Sequence, residues 1–196
     1  KEVGINDYLN LKFDYPIFLN IDVMDYNERK DGNPSDFNDF ISNPSNYKSS
    51  FMKYAKHTDV YIAGHYYGSG APYLFTRDDV KSPDFNISVV ADISCDIDGP
   101  VATTIRPSKI NSPIYGYNPL TESEDNFLNK DIIAVMAVDN LPCELPKDSS
   151  EDFGDNLIKS IIPIISSNNN IIEGATICKN GDLTENYEYL REFVSS

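Results

Sequence analysis

Three short apolar runs constrain the fold of this chain more than any other feature of its sequence. They are DVYIAG at residues 59–64, ISVVADIS at 87–94 and IIAVMAV at 132–138, of which the last is the most hydrophobic. Continuous apolar runs of this length are typical of strands that are buried on both faces of a parallel sheet. We therefore predict an α/β fold in which the three runs lie side by side as parallel strands.

Polar or small residues stand at the end of each run. The first run leads into GHY at 64–66, the second ends in DIS at 92–94, and the third leads into DNLP at 139–142. In an open parallel sheet, ligands bind in the crevice outside the carboxyl ends of the strands. The sequence therefore predicts a binding site along this edge of the sheet.

The first fifty residues have a weaker pattern. Residues 1–12 carry apolar side chains at helical spacing with no N-cap before them, which indicates a helix already under way at Lys1. Residues 13–50 are rich in Asn, Asp, Ser and Pro. We expect a long surface connection there, with a short strand at 17–23 and one helical turn at 37–41.

The last fifty residues predict a helical tail. Pro146 and several acidic residues precede apolar residues that recur at three and four between 153 and 165, and this pattern indicates a helix that Pro163 ends or kinks. A loop is expected at 168–170 and a turn at Asn180-Gly181. A last short helix is expected from Thr184 to Val194.

The charge balance excludes several classes of partner. The chain has 31 acidic and 16 basic residues among 196, a formal net charge of −15, and no run of five basic residues. Such a chain repels nucleic acid and anionic membranes, so neither is an expected partner. No apolar stretch approaches the roughly 20 residues of a membrane span, and the start has no apolar core of a signal peptide.

The three cysteines, at 95, 143 and 178, are an odd number without metal-type spacing. A reducing compartment explains them best, and we predict a cytoplasmic protein in which two of the three are buried or half-buried. Calcium is excluded, because an EF-hand alignment that starts at Ser94 places Ile105 where a bidentate Glu is required. Two histidines eight residues apart form no zinc set, so no metal is expected, and each is expected to hydrogen-bond locally.

The glycine signature of dinucleotide binding, G-x-G-x-x-G, is absent. Gly64, Gly68 and Gly70 form a loose cluster, but no helix pattern follows, so we interpret this segment as a loop over the crevice. No G-x-S-x-G element is present either, which leaves no candidate serine nucleophile.

Two long segments nevertheless resemble one family of enzymes. VVADISCDIDGPVATTIRPSKINSPIYGYNP at 89–119 and IIAVMAVDNLPCELPKDSSEDFGDNLIKSIIPII at 132–165 are similar to saccharopine dehydrogenases, especially to the lysine–2-oxoglutarate reductase portion of the bifunctional enzymes. The likeness to alanine dehydrogenase is more distant. The resemblance runs from about Asn43 to Val194, and residues 1–12 look like the helix after the family's glycine-rich turn.

The resemblance implies the architecture. Residues 1–142 would be the C-terminal part of an NAD(P)-binding Rossmann domain, a partial parallel sheet with flanking helices that lacks the glycine-rich first βα unit. Residues 143–196 would form a helical segment that returns to a substrate domain outside this chain. That helix would present Phe153, Leu157 and Ile161 to a partner, so we expect the isolated chain to dimerise through this face or to expose it, and the parent protein to be a homo-oligomer.

The resemblance also implies the site residues. Contacts to the cofactor would come from Tyr66, from Ile93 and from the loop after the third strand, Val138, Asp139, Asn140 and Leu141. Asp96 would be an auxiliary catalytic residue near the nicotinamide ribose and the substrate, although a loop Asp can also simply bond its own backbone. Asp98 stands where alanine dehydrogenase has Gly, which adds a negative charge near a site for an anionic substrate.

The implied reaction is hydride transfer between NAD or NADP and a carbon that bears an amino group, with an amino acid as substrate of the full-length protein. The family's catalytic Lys and His lie in the amino-terminal substrate domain, so neither His57 nor His65 takes that role. For this chain alone we expect no turnover and weak or no NAD(H) binding, because the pyrophosphate turn is missing. The alternative is a non-catalytic Rossmann-like interaction module.

Overall fold

The structure is a computed structural model that describes residues 1–68, 70–167 and 169–194. The chain divides into two compact units, Lys1–Leu141 and Pro142–Ser196.

In residues 1–68 and 70–141, the first unit contains four short helices and seven strands. The helices are α1 (Ile5–Asn10), α2 (Phe37–Ser42), α3 (Met52–Ala55) and α4 (Arg77–Val80), with a 3-10 turn at Pro44–Asn46. The strands are β1 (Asn27–Arg29), β2 (Tyr47–Ser49), β3 (Val60–Ala63), β4 (Val89–Asp92), β5 (Ile114–Asn118), β6 (Ser123–Asp125) and β7 (Ile133–Met136). A further 3-10 turn, Leu141–Glu144, follows β7 after a short loop.

The three predicted strands are confirmed as parallel neighbours at the centre of a five-stranded sheet. The strand order is β3-β4-β7-β5-β6, and Val60 of β3 is in register with Val89 of β4, which in turn faces Ala134 of β7. Each strand is shorter than its apolar run, because only four residues of each run lie in the ladder. The predicted α/β fold with a partial Rossmann-type sheet is therefore confirmed.

The sequence patterns did not reveal the two strands that complete the sheet. β5 is antiparallel to β7 and forms a hairpin with β6. At Gly116 of β5, a Cβ atom would lie 2.6 Å from the carbonyl oxygen of Asp125 and 2.7 Å from the backbone nitrogen of Phe127. This close approach of two backbones requires glycine at position 116.

The core lies on one face of the sheet and is rich in aromatic rings. Phe51 is at its centre, with its ring centroid 4.9 Å from that of Tyr61 and 5.7 Å from that of Phe75. Val90, Val135 and the other inward side chains of the central strands are fully buried against this cluster. Aromatic pairs at these distances add to the stabilisation that burial itself gives.

The opposite face of the sheet is exposed, so the prediction that the strands are buried on both faces is wrong. Val60 and Ile62 of β3 are 56% and 64% exposed, and Val89 and Ile114 are also on the surface. Side chains alternate between the faces of a strand, so β3 and β4 each place two outward residues on this face. Continuous apolar runs therefore predicted the strands correctly but not their environment.

The amino-terminal segment differs from its prediction in two respects. The first helix does not start before Lys1, because residues 1–4 are extended and α1 begins at Ile5. No strand forms at 17–23, where only an isolated bridge joins Glu2 to Phe18. The side chain of Asp22 instead accepts a hydrogen bond from the backbone N–H of Val23 at 2.6 Å, which favours a turn. The helical turn at 37–41 is confirmed as α2.

The second unit is mainly helical, as predicted. Its elements are α5 (Pro146–Asn156), a π-helical turn (Leu157–Ile161), a 3-10 turn (Ile162–Ile164), α6 (Asn170–Ala175), β8 (Cys178–Lys179), β9 (Asp182–Leu183), a 3-10 helix (Glu185–Leu190) and α7 (Arg191–Val194). Pro163 lies in the 3-10 turn, where the helix ends. Asn180 and Gly181 both have positive φ in the β8–β9 hairpin, which confirms the turn.

Two details of the second unit were not as expected. Of the predicted loop at 168–170, Asn168 lies outside the described residues, whereas Asn169 caps α6, a helix that the sequence did not predict. Cys143 and Cys178 are exposed and only Cys95 is half-buried, so the prediction that two of the three cysteines are buried is wrong.

In residues 1–68, 70–167 and 169–194, no helix has the length and apolarity that crossing a membrane requires.

Candidate functional site

The carboxyl ends of the three parallel strands are joined to one another by direct hydrogen bonds. The backbone N–H of Ile93, just after β4, donates to the carbonyl of Ala63 at the end of β3 over 2.8 Å. The thiol of Cys95 donates to the carbonyl of Ala137, just after β7, over 3.1 Å. The ends of β3, β4 and β7 therefore form one continuous edge, as the parallel arrangement requires.

Asp92 anchors this edge at the end of β4. Its side chain is fully buried and accepts hydrogen bonds from the Thr104 hydroxyl at 2.6 Å, the Ser94 hydroxyl at 2.5 Å and the backbone N–H of Cys95 at 3.1 Å. Three donors compensate a buried carboxylate for its lost hydration. The geometry of the loop after β4 is therefore fixed by a saturated polar cluster.

The pKa of the Cys95 thiol reflects the carboxylates that lie near this edge. Burial raises the pKa of its thiol, and the negative charges of Asp92, Asp139 and Asp96 raise the pKa further. Asp96 follows β4 and Asp139 follows β7, so two of the predicted site residues lie near the same thiol. The loops after two different strands thus bring carboxylates to one place.

The loop after β7 is held by Ser108. The Ser108 hydroxyl accepts from the N–H of Ala137 at 2.9 Å, and the Ser108 N–H donates to the carbonyl of Ala137 at 2.8 Å. Val138, which forms a bridge with Ser108, is buried, whereas Asp139 and Asn140 are exposed. Ser108 could not be identified from the sequence, because a Ser in an irregular segment carries no pattern.

The residues after β3 line a cavity of about 1990 Å³. Tyr66 is 93% exposed, so its ring is free to contact a ligand. His65 is half-buried, and neither of its ring nitrogens touches solvent or has a hydrogen-bond partner in the described part of the chain. The expectation that each histidine hydrogen-bonds locally is therefore wrong for His65.

The structure places the predicted site residues in two groups. Tyr66 lies on the wall of the cavity, together with His65. Asp96 and the loop 138–141 follow β4 and β7 on the neighbouring part of the edge, where Ile93 is 49% exposed and Leu141 is half-buried. The Asp96 carboxylate is half-buried and has no hydrogen-bond or ion-pair partner within the described residues, so it does not bond its own backbone.

Asp98 does not contribute an unpaired charge to the site. Its carboxylate lies 2.7 Å from the guanidinium of Arg77, which also contacts Glu122 at 3.3 Å. Asp98 has a φ of 50°, the left-handed region that favours glycine. The pairing with Arg77 compensates the negative charge that the sequence placed near the crevice.

Within the described ranges, no three His, Cys, Asp or Glu side chains are grouped to hold a metal ion.

Several curated proteins are similar to this chain. An alpha-aminoadipic semialdehyde synthase from Arabidopsis thaliana is 30% identical over 181 residues, which cover 87% of this chain and 17% of that protein. The mitochondrial alpha-aminoadipic semialdehyde synthase of Mus musculus is 26% identical, with 78% of this chain and 20% of that protein covered. A saccharopine dehydrogenase (NAD(+), L-lysine-forming) from Emericella nidulans is 25% identical over 58% of this chain and 30% of its own length.

The chain thus spans less than a third of the length of each of these relatives. A family model described as "Alanine dehydrogenase/PNT, C-terminal domain" matches residues 18–186, most of the chain. Together with the parallel edge of β3, β4 and β7, this match identifies the chain as a member of the alanine dehydrogenase/PNT C-terminal domain family, in the branch that resembles saccharopine dehydrogenase.

Proposed function

We propose that this chain is the cofactor-domain part of an NAD(P)-dependent amino-acid oxidoreductase that transfers hydride at a carbon–nitrogen centre. The observation that carries the proposal is the joined edge of β3, β4 and β7, where Asp96, Asp139 and Asn140 present side chains without partners among the described residues. The relatives are named as enzymes, and none of them supports the alternative of a non-catalytic interaction module.

The residues present fit a dinucleotide. The cavity beside β3 is larger than the 300–1,000 Å³ or so that encloses a drug-sized ligand. The nicotinamide cofactor would supply the redox chemistry when bound. Its positioning is assigned to Tyr66, Ile93 and the loop of Val138, Asp139, Asn140 and Leu141. Binding by this chain alone is expected to be weak, because no glycine-rich turn is present to hold a pyrophosphate.

Asp96 is assigned the auxiliary catalytic role. Its carboxylate has no partner in the described part of the chain, and it lies close enough to Cys95 to raise the pKa of that thiol. A free carboxylate at this edge can accept a hydrogen bond from a ribose hydroxyl or from the amino group of a substrate. Orientation of the reacting groups is the contribution that such a contact makes to the rate.

Residues 1–142 are proposed as the cofactor-domain part, and residues 143–196 as the segment that returns to a substrate domain. Of the three residues expected on this face, Phe153 and Leu157 are exposed and Ile161 is half-buried, which supports the assignment, because large apolar side chains at the surface indicate a binding surface. The parent protein is proposed to be a homo-oligomer that takes an amino-acid substrate. The cytoplasmic location stays a prediction, and the mouse relative is named as mitochondrial.

The proposal is tested on the full-length protein with alanine, with lysine plus 2-oxoglutarate and with saccharopine, each with NAD(H) and NADP(H). We expect turnover of at least one amino-acid substrate. Asp96→Asn should lower kcat/KM by about tenfold or more, the usual scale for a positioned catalytic group. Asp98→Asn is the matched control, because Asp98 is paired with Arg77, and it should stay within about twofold. No turnover with any pair would contradict the proposal.

A further inference from the structure

The two histidines of the chain stand at opposite ends of β3. His57 precedes the strand at its amino end and is exposed, whereas His65 follows it at the carboxyl end and is half-buried, and the two line opposite ends of the same cavity. Because the chain has only these two histidines, the exposed one is an internal control for any property of the other. A difference in behaviour between His65 and His57 therefore shows the effect of the carboxyl end of β3 on an imidazole.

The imidazole of His65 is unsatisfied. Both Nδ1 and Nε2 are shielded from solvent, and neither has a hydrogen-bond partner in residues 1–68, 70–167 and 169–194. A shielded polar group without a partner destabilises the protein relative to one that is hydrogen-bonded. A neutral imidazole presents one donor and one acceptor, so a ligand that both accepts and donates would recover this free energy.

The charges around His65 select the kind of ligand. Burial lowers the pKa of His65, while the nearby carboxylates of Asp92 and Asp96 oppose that effect only in part. The ring is therefore neutral at neutral pH, and the closest fixed charges are negative. A phosphate offers mainly acceptor oxygens, so it can satisfy only the N–H of a neutral ring, and it is repelled by the two carboxylates. An uncharged hydroxyl or carboxamide group meets both requirements.

We propose that His65 is a ligand-binding residue of the crevice, where its imidazole hydrogen-bonds an uncharged hydroxyl- or amide-bearing part of the bound dinucleotide and not its phosphates. The assignment rests on the proposed cofactor crevice and adds to it a residue on β3. His65 and the exposed Tyr66 both line the cavity, so a ligand bound at this end of the cavity has both side chains in its wall.

The ring must turn for a nitrogen to face the cavity. His65 has two side-chain torsions about which the ring can turn. Hydrogen bonds at ligand sites often form only in the complex, so this change of rotamer is part of the binding step.

The test is nuclear magnetic resonance of the ring nitrogens in the isotope-labelled chain during titration with NADH up to millimolar concentrations. The nitrogens of His65 should shift with the same saturation curve as the backbone amides of residues 138–141, while those of His57 stay unchanged. Nicotinamide and methyl β-D-ribofuranoside, tested separately, distinguish a carboxamide partner from a ribose hydroxyl. Inorganic phosphate should leave His65 unchanged.

A variant gives a second readout. His65→Phe keeps a ring of similar size and removes both polar atoms, and it should weaken NADH binding about three- to tenfold, the scale of one hydrogen bond. His57→Phe should leave the affinity unchanged. If NADH shifts residues 138–141 but neither His65 nor the His65→Phe affinity responds, the role of His65 is wrong while the proposed function stands. If phosphate shifts His65, the uncharged-ligand assignment is wrong. If NADH shifts neither region, the assignment of His65 to NADH binding by this chain is wrong, and the turnover assay of the full-length protein decides the proposed function.

Discussion

The hydroxyl of Thr104 donates to the Asp92 carboxylate at 2.6 Å, and both side chains are fully buried. This contact joins the end of β4 to a segment twelve residues later, beyond the loop that carries Asp96. The loop after β4 is thus held at both ends. A rigid support of this kind is what positions a ligand-binding residue accurately.

Removal of this contact should destabilise the chain. Thr104→Val keeps the side-chain volume and removes a hydrogen bond to a charged group, and it should lower the free energy of unfolding by about 1.5–3 kcal/mol. The measurement is urea unfolding followed by circular dichroism. Thr121→Val is the matched control, because the Thr121 hydroxyl contacts Ser123 at the surface, and its effect should be about 0.5 kcal/mol or less. Equal effects of the two variants would contradict the anchoring role of Asp92.

The pH dependence of stability should reveal His65. Burial lowers the pKa of His65 below the ordinary 6.5, and Asp92 and Asp96 oppose this shift. The unfolded chain therefore binds the proton first as the pH falls. The contribution of a neutral His65 is fully present above pH 6.5 and is lost as the pH falls from 6.5 to the lowered value.

This pH effect is measured by denaturant unfolding between about pH 5 and pH 8, the range in which histidine titrates. His65→Gln should flatten the decline of stability below pH 6.5, because glutamine does not ionise. An unchanged pH profile in the His65→Gln variant would show that His65 is not shielded in solution.

The exposed apolar residues of the second unit should make the isolated chain associate. Phe153 and Ile158 are 69% and 65% exposed, and such side chains bind apolar dyes and one another. The double variant Phe153→Ser with Ile158→Ser should lower dye fluorescence and shift sedimentation toward the monomer. Leu120→Ser is the control, because Leu120 is 86% exposed in the turn between β5 and β6. A wild-type chain that stays monomeric and binds no dye would contradict the prediction.

The centre of the sheet was predictable because its parallel strands appear in the sequence as continuous apolar runs. The three apolar runs became β3, β4 and β7 in the predicted order and direction. The hairpin of β5 and β6 was missed, since Gly116 and the polar residues of Ser123–Asp125 interrupt the alternation that indicates strands. The pairing of β5 with β6 depends on close contact between their backbones, which the sequence pattern does not reveal.

The candidate site could be predicted only in part for a related reason. The polar residues at the strand ends followed from topology, and Asp96 and Asp139 indeed lie near one thiol. The support of the site was not predictable, because Thr104 and Ser108 stand in irregular segments and reach the edge only through tertiary structure. His65 was expected to form a local hydrogen bond. The structure shows instead that both of its ring nitrogens lack hydrogen-bond partners among the described residues.

The most direct test of the proposed crevice is a map of backbone amide shifts on addition of NADH to the labelled chain. We expect changes at the carboxyl ends of the strands, in residues 64–68, 93–96 and 138–141. Ser88 and Ile132, at the amino ends of β4 and β7, should not change. Shifts centred on the amino ends, or on residues 142–194, would contradict a cofactor site at the joined edge of β3, β4 and β7.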